Sequence, residues 1–217
     1  MTGKHEAGAR GEGVSKIARR LPGDLPMRSA ILSAFALSAC ATNAPPPPSP
    51  QAAFFEAISA HCGKAYAGRL VTNDAADADI AAARLVMDVR ACAEDEIRIP
   101  FHVGEDRSRT WVLTRTGAGL RLKHDHRHED GGEDALTQYG GDTDAPGTAT
   151  RQEFPADMFS KDLFLREGRP VSVDNVWAME IGAAQFAYEL RRPDRHFRVE
   201  FDLSAPVENP PAPWGER

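Results

Sequence analysis

The sequence predicts a mainly β domain, antiparallel, built as a small barrel or a sandwich, with one N-terminal helix and one short inserted helix. Three observations predict it. Apolar residues recur at every second position in one run after another. Gly, Pro and Asp turn signals separate those runs by short intervals, and helical spacing occurs in only two places. The 217 residues are 41% hydrophobic, 27% charged and 7% aromatic, which suits one globular domain with unstructured ends and excludes a disordered chain. No uninterrupted apolar run approaches the ~20 residues of a membrane-spanning helix, which excludes a polytopic membrane protein.

Phe54, Phe55, Ile58, Cys62 and Tyr66 recur at helical spacing, so residues 52–63 are expected to form a short amphipathic helix stopped by Gly63. From there the period changes to two. Leu85, Met87 and Val89 alternate with Arg84, Asp88 and Arg90; Ile97, Ile99, Phe101 and Val103 alternate with Arg98 and His102; Phe197, Val199, Phe201 and Leu203 alternate with His196, Arg198, Glu200 and Asp202. Further runs at 66–72, 110–116, 119–128, 148–154, 175–181 and 185–191 bring the expectation to about nine strands. Turn signals such as Thr116-Gly117-Ala118-Gly119 and Arg192-Pro193-Asp194-Arg195 join them, and short connections imply antiparallel neighbours. Pro155, Met158, Phe159, Leu163 and Phe164 mark the inserted helix, with Gly168 past its end. Strand count alone leaves a lipocalin-like barrel and a sandwich both open.

Ahead of this domain, Ile31 to Leu37 is apolar but short, follows Arg28, and ends in Leu37-Ser38-Ala39-Cys40. Small residues at 38 and 39 suit a narrow protease cleft, and a thiol at Cys40 is the nucleophile that would receive diacylglycerol, so the segment resembles a bacterial lipoprotein signal peptide. Pro22, Gly23, Asp24 and Pro26 interrupt what should be a short positive leader, which leaves Met1, Val14 and Met27 as candidate starts. The expected organisation is a signal segment at 1–39, a lipid-bearing Cys40 with a Pro-rich tether at 40–51, the β-rich domain at 52–205, and a Pro-rich tail at 206–217. This places the protein in the cell envelope, attached to the membrane by lipid and facing the periplasm or the outside.

Without residues 1–39 the chain holds 20 basic and 29 acidic residues, a formal charge of -9, which speaks against nucleic acid as a partner. Arg107, Arg109, Arg115, Arg121, Arg191, Arg192, Arg195 and Arg198 are interleaved with acids and read as cross-strand pairs on a solvated face. In an exported domain Cys62 and Cys92 are expected to form a disulfide.

The candidate site begins with the row Leu120-Arg121-Leu122-Lys123-His124-Asp125-His126-Arg127-His128. On a strand, His124, His126 and His128 continue the core-facing face of Leu120 and Leu122. Adjacent imidazoles on that face, about 7 Å apart, could share a divalent metal at about 2 Å per bond, whereas the outer pair, about 13 Å apart, could not. A third ligand would have to come from elsewhere, and His102 lies opposite the Ile97, Ile99 and Phe101 face. The alternative is that the histidines point into water or make ordinary hydrogen bonds.

Thr137-Gln138-Tyr139-Gly140-Gly141-Asp142-Thr143 is either a structural bulge or, through Tyr139 and Asp142, a pocket rim. Trp177, Met179, Ile181, Phe186, Tyr188, Phe197 and Phe201 form an aromatic stripe that reads as core, or as the lining of a cavity for a small apolar ligand. Catalytic signatures are absent: Ser108, Ser160, Ser172 and Ser204 lack a nucleophile-elbow context, and no Cys-x-x-Cys occurs. A metal-dependent hydrolase using His124, His126 and His128, or a His/Asp/Glu hydrolase around His124, His126 and Asp142, is the remaining catalytic alternative. The sequence thus favours a binding or structural module whose partner is a small apolar ligand or an envelope protein.

Arg98 to Trp111, Lys123 to Gly131, Tyr139 to Thr143, Asn175 to Ile181 and His196 to Leu203 resemble a family of uncharacterised bacterial secreted proteins and lipoproteins, over about residues 54–214. The resemblance implies export and carries no catalytic residues with it.

Overall fold

Alternation makes the inner face of each strand apolar, and the chain buries those faces by curling one long sheet on itself. The computed structural model describes residues 46–216. In chain order they form α1 (Pro50–Ser59), β1 (Lys64–Leu70), a 3₁₀ turn (Ala75–Asp77), α2 (Ala78–Ala82), β2 (Leu85–Val89), β3 (Ala91–Cys92), β4 (Glu96–Val103), β5 (Asp106–Thr116) and β6 (Gly119–His126). Then follow β7 (Tyr139–Asp142), β8 (Arg151–Pro155), α3 (Met158–Arg166), a second 3₁₀ turn (Pro170–Ser172), β9 (Val176–Ile181), β10 (Gln185–Arg192) and β11 (Arg195–Val207). No helix among the described residues is long and apolar enough to cross a membrane.

The strands pair antiparallel in the order β7-β6-β5-β4-β2-β1-β11-β10-β9-β8, with β3 paired to β4. This is a nearly closed antiparallel barrel, which decides between the two architectures left open above. Inner-face partners meet in register, Trp111 opposite His124, Leu113 opposite Leu122, Tyr188 opposite Met179 and Val199, and Tyr66 opposite Met87. Outward-facing charges pair as expected, Arg198 reaching Glu180, Glu189 and Glu200, and Arg121 reaching Asp142.

The barrel closes at β7 and β8 without a ladder. Side chains at Gly140 and Gly141 would overlap the carbonyls of Leu122 and Pro155, so only glycine lets the strands come this close. Ser160 of α3 bridges the seam: its hydroxyl accepts from the Gly140 N–H at 2.7 Å and donates to the Gly140 carbonyl at 2.8 Å. The Asp157 N–H donates to that same carbonyl at 3.0 Å. The segment read as a turn or bulge is thus partly a strand, β7; its two glycines hid the signal that alternation gives elsewhere.

Helix α1, with Pro50 at its first turn and Ser49 capping the Ala52 N–H, buries Phe54, Phe55 and Ile58 and plugs one end of the barrel. Its Glu56 pairs with Arg115, whose guanidinium also lies 4.0 Å from the Phe55 ring centre. A disulfide joins Cys62, just past α1, to Cys92 of β3. After Val207 the chain does not leave the domain. Residues 208–216 lie as a strap on the outer sheet face: the Trp214 N–H donates to the Arg107 carbonyl at 3.0 Å, the Arg107 guanidinium donates to the Ala212 carbonyl at 3.0 Å, and Glu216 pairs with Arg90 at 2.9 Å.

Candidate functional site

The end of the barrel opposite α1 is not filled. Trp111 of β5 and Tyr188 of β10, which lie five places apart in the strand order, stack at 4.3 Å across the barrel interior, and Phe101 stacks on Trp111 at 4.9 Å. Tyr139, His124 and Trp177 form a second stack, with centroids 4.6 to 5.6 Å apart. An open cavity of about 500 Å³ lies against these two ring groups at that end of the barrel. Its rim comes from segments outside the barrel strands: Asp77 and Ile80 near α2, Asp134 and Leu136 of the loop before β7, and Arg169, Ser172 and Asn175 after α3.

The histidine row divides along its length. His124 is 2% exposed, with Nδ1 3.0 Å from the Tyr139 carbonyl and Nε2 2.7 Å from the Tyr188 hydroxyl. A carbonyl only accepts, so Nδ1 carries the proton and Nε2 accepts from Tyr188. Burial, reinforced by His126, pushes the His124 pKa down to about 3, and burial together with Arg109 pushes His126 to about 4. Both are therefore neutral at pH 7. His126 Nε2 faces the Tyr139 hydroxyl at 3.2 Å, and burial raises the phenol pKa of Tyr139. His128 lies beyond the end of β6, exposed, 3.8 Å from Asp134.

Among the described residues no three His, Cys, Asp or Glu side chains converge with metal-binding geometry. A divalent metal on His124 would have to displace Tyr188, and His102, facing the outer side of β4, is buried away from the row. Tyr139 lines the cavity, whereas Asp142 lies outside it, exposed and held by Arg121 at 2.6 and 2.8 Å. His124, His126 and Asp142 therefore do not form a catalytic cluster. Ser160, buried against Gly140, has no nucleophilic geometry either.

Sequence reading missed the cationic side of the mouth. Arg109, Arg192 and Arg195, expected on a solvated ladder, instead share the inward parity of Trp111, Leu190 and Phe197 and continue those rows into the mouth. Arg195 is held bidentately by the buried Asp77 at 2.5 and 2.6 Å, and Arg109 by Asp106 at 2.5 Å. Arg192 touches only the amide oxygen of Asn175, at 3.1 Å, and the Arg169 side chain has no partner among the described residues.

No family model, curated protein or solved structure matches the chain. What the site can do is therefore set by its own geometry. Inside it His124, His126, Tyr139 and Tyr188 are hydrogen-bonded to one another, the surrounding rings are aromatic, and the opening faces solvent.

Proposed function

We propose that the protein is a binding module that takes a small ligand with a largely apolar body into the open end of its barrel, and that it is held in the cell envelope by lipid on Cys40. The cavity carries the first half of this reading. At about 500 Å³ it is within the usual range of ligand pockets, and it pairs two aromatic walls with a few placed polar groups. The sequence Leu37-Ser38-Ala39-Cys40 supports the second half; those residues lie outside the described ones.

The test is titration of the purified protein with the neutral fluorophore N-phenyl-1-naphthylamine, read through quenching of Trp111 and Trp177. Saturable binding of one probe per chain is expected. Leu136→Trp, which fills the mouth from a half-buried loop position, should weaken it about tenfold. Non-saturable binding, or binding indifferent to that substitution, would overturn the reading. An interaction protein is the second reading, favoured by the outer side of α3 and the turn after it, where Met158, Phe159, Leu165 and Val171 are 69, 53, 59 and 64% exposed.

A further inference from the structure

The rim of the cavity is charged in one sense. Arg109, Arg169, Arg192 and Arg195 line it together with Asp77 and Asp134, a formal excess of two positive charges, on a chain whose net charge is -6. With His124 and His126 neutral, nothing else in the lining alters that excess. The excess is also localised. Arg195 and Arg109 are already engaged by carboxylates, so the unsatisfied cations are Arg169 and Arg192. Both stand at one corner of the mouth, with Ser172 and the buried Asn175 beside them and Trp177 and Phe164 below. Asn175 holds Arg192 through its amide oxygen, which fixes the guanidinium at the rim without neutralising it.

We infer that the cavity is built for an amphipathic anion: an apolar or aromatic body against Trp111, Tyr188 and Trp177, and a single carboxylate or phosphate between Arg169 and Arg192. This rests on the binding reading above. A guanidinium pair at the mouth favours an anion through charge-assisted, forked hydrogen bonds, and the aromatic floor below provides no acceptor-rich surface for a fully polar one.

The experiment compares two probes of the same ring skeleton, anionic 1-anilinonaphthalene-8-sulfonate and neutral N-phenyl-1-naphthylamine, on the full protein at low salt. The anion is expected to bind about tenfold tighter or more, with the advantage shrinking as salt rises. Arg169→Gln, at an exposed position that leaves the fold alone, should remove part of the preference, and adding Arg192→Gln should remove the rest while the neutral probe keeps its affinity. Dodecanoate should displace the probe better than dodecanol if the body is an acyl chain, and 2-naphthoate better than dodecanoate if it is aromatic. Equal affinity for both probes, or a preference untouched by the double variant, overturns the anion assignment and leaves the cavity reading standing. Failure of both probes to bind overturns both. A Phe159→Ser, Leu165→Ser variant should change neither affinity; if it abolishes binding, the probes were on the outside of α3 and the inference falls.

Discussion

His124 commits both ring nitrogens to neighbours, stacks on Tyr139 and lies tilted against Trp177, so it works as a neutral strut tying β6 to β7 and β10. Removing the ring by His124→Ala leaves the buried Tyr188 hydroxyl without an acceptor and opens a void, and should cost about 2–4 kcal/mol in denaturant unfolding. His102, on the outer side of the sheet, is 3% exposed with its Nε2 unpartnered, and burial beside Arg90 and Arg107 lowers its pKa to about 4. These depressed values make stability depend on pH. An unfolded histidine takes up its proton near pH 6.5, whereas folded His102, His124 and His126 take theirs only near pH 3–4, so acidification favours the unfolded chain across that window. Asp88 works the other way, because burial raises its carboxyl pKa. The unfolding free energy measured in urea should therefore fall between pH 7 and pH 4.5, by roughly 1 kcal/mol per pH unit for each buried histidine, and His124→Phe should flatten the slope. An unfolding free energy that rises on acidification would contradict this.

Elements differ in how visibly the sequence encodes them. The strands from β4 to β6 and from β9 to β11 follow from alternation alone, because which face a residue takes is decided by its immediate neighbours. Strand β7 was hidden, since Gly140 and Gly141 are chosen for contact with Leu122 and Pro155, which lie far along the chain. The cavity was hidden for the same reason: Trp111, Trp177 and Tyr188 read equally well as packed core, the rings do meet across the barrel, and whether space is left beyond them depends on segments far along the chain that form the mouth. The Cys62–Cys92 link, expected from the compartment, is present and ties α1 to β3 across a separation of 30 residues. Replacing both cysteines by Ser should cost about 3–4 kcal/mol by freeing that loop in the unfolded chain, measurable as a lower thermal midpoint. At the seam, Ser160→Ala removes both hydrogen bonds to Gly140 and should cost about 1–3 kcal/mol. Amide exchange would accelerate first in β7 and β8; uniform acceleration through the barrel would show that the seam is not its weak line.

At the scale of the whole molecule, the strap and the plug tie the chain's two described ends to the barrel. Pro213 to Glu216 enclose, with Arg90, Arg98, Arg127 and Asp125, a polar cavity of about 300 Å³ on the outer face. Truncation after Val207 uncovers Asp125, now 5% exposed, and should lower the thermal midpoint without altering ligand affinity at the mouth. Cys40→Ala should move the protein from the membrane fraction to the soluble one, and an unchanged fraction would refute lipid attachment. Nine residues separate Cys40 from Pro50 in the sequence, four of them the consecutive prolines Pro45 to Pro48. That spacer joins the domain at α1, the plugged end, while the mouth lies at the other end of the barrel. If Cys40 carries the lipid, the tether reaches the domain beside the plug, so cargo can enter the mouth without passing the anchor.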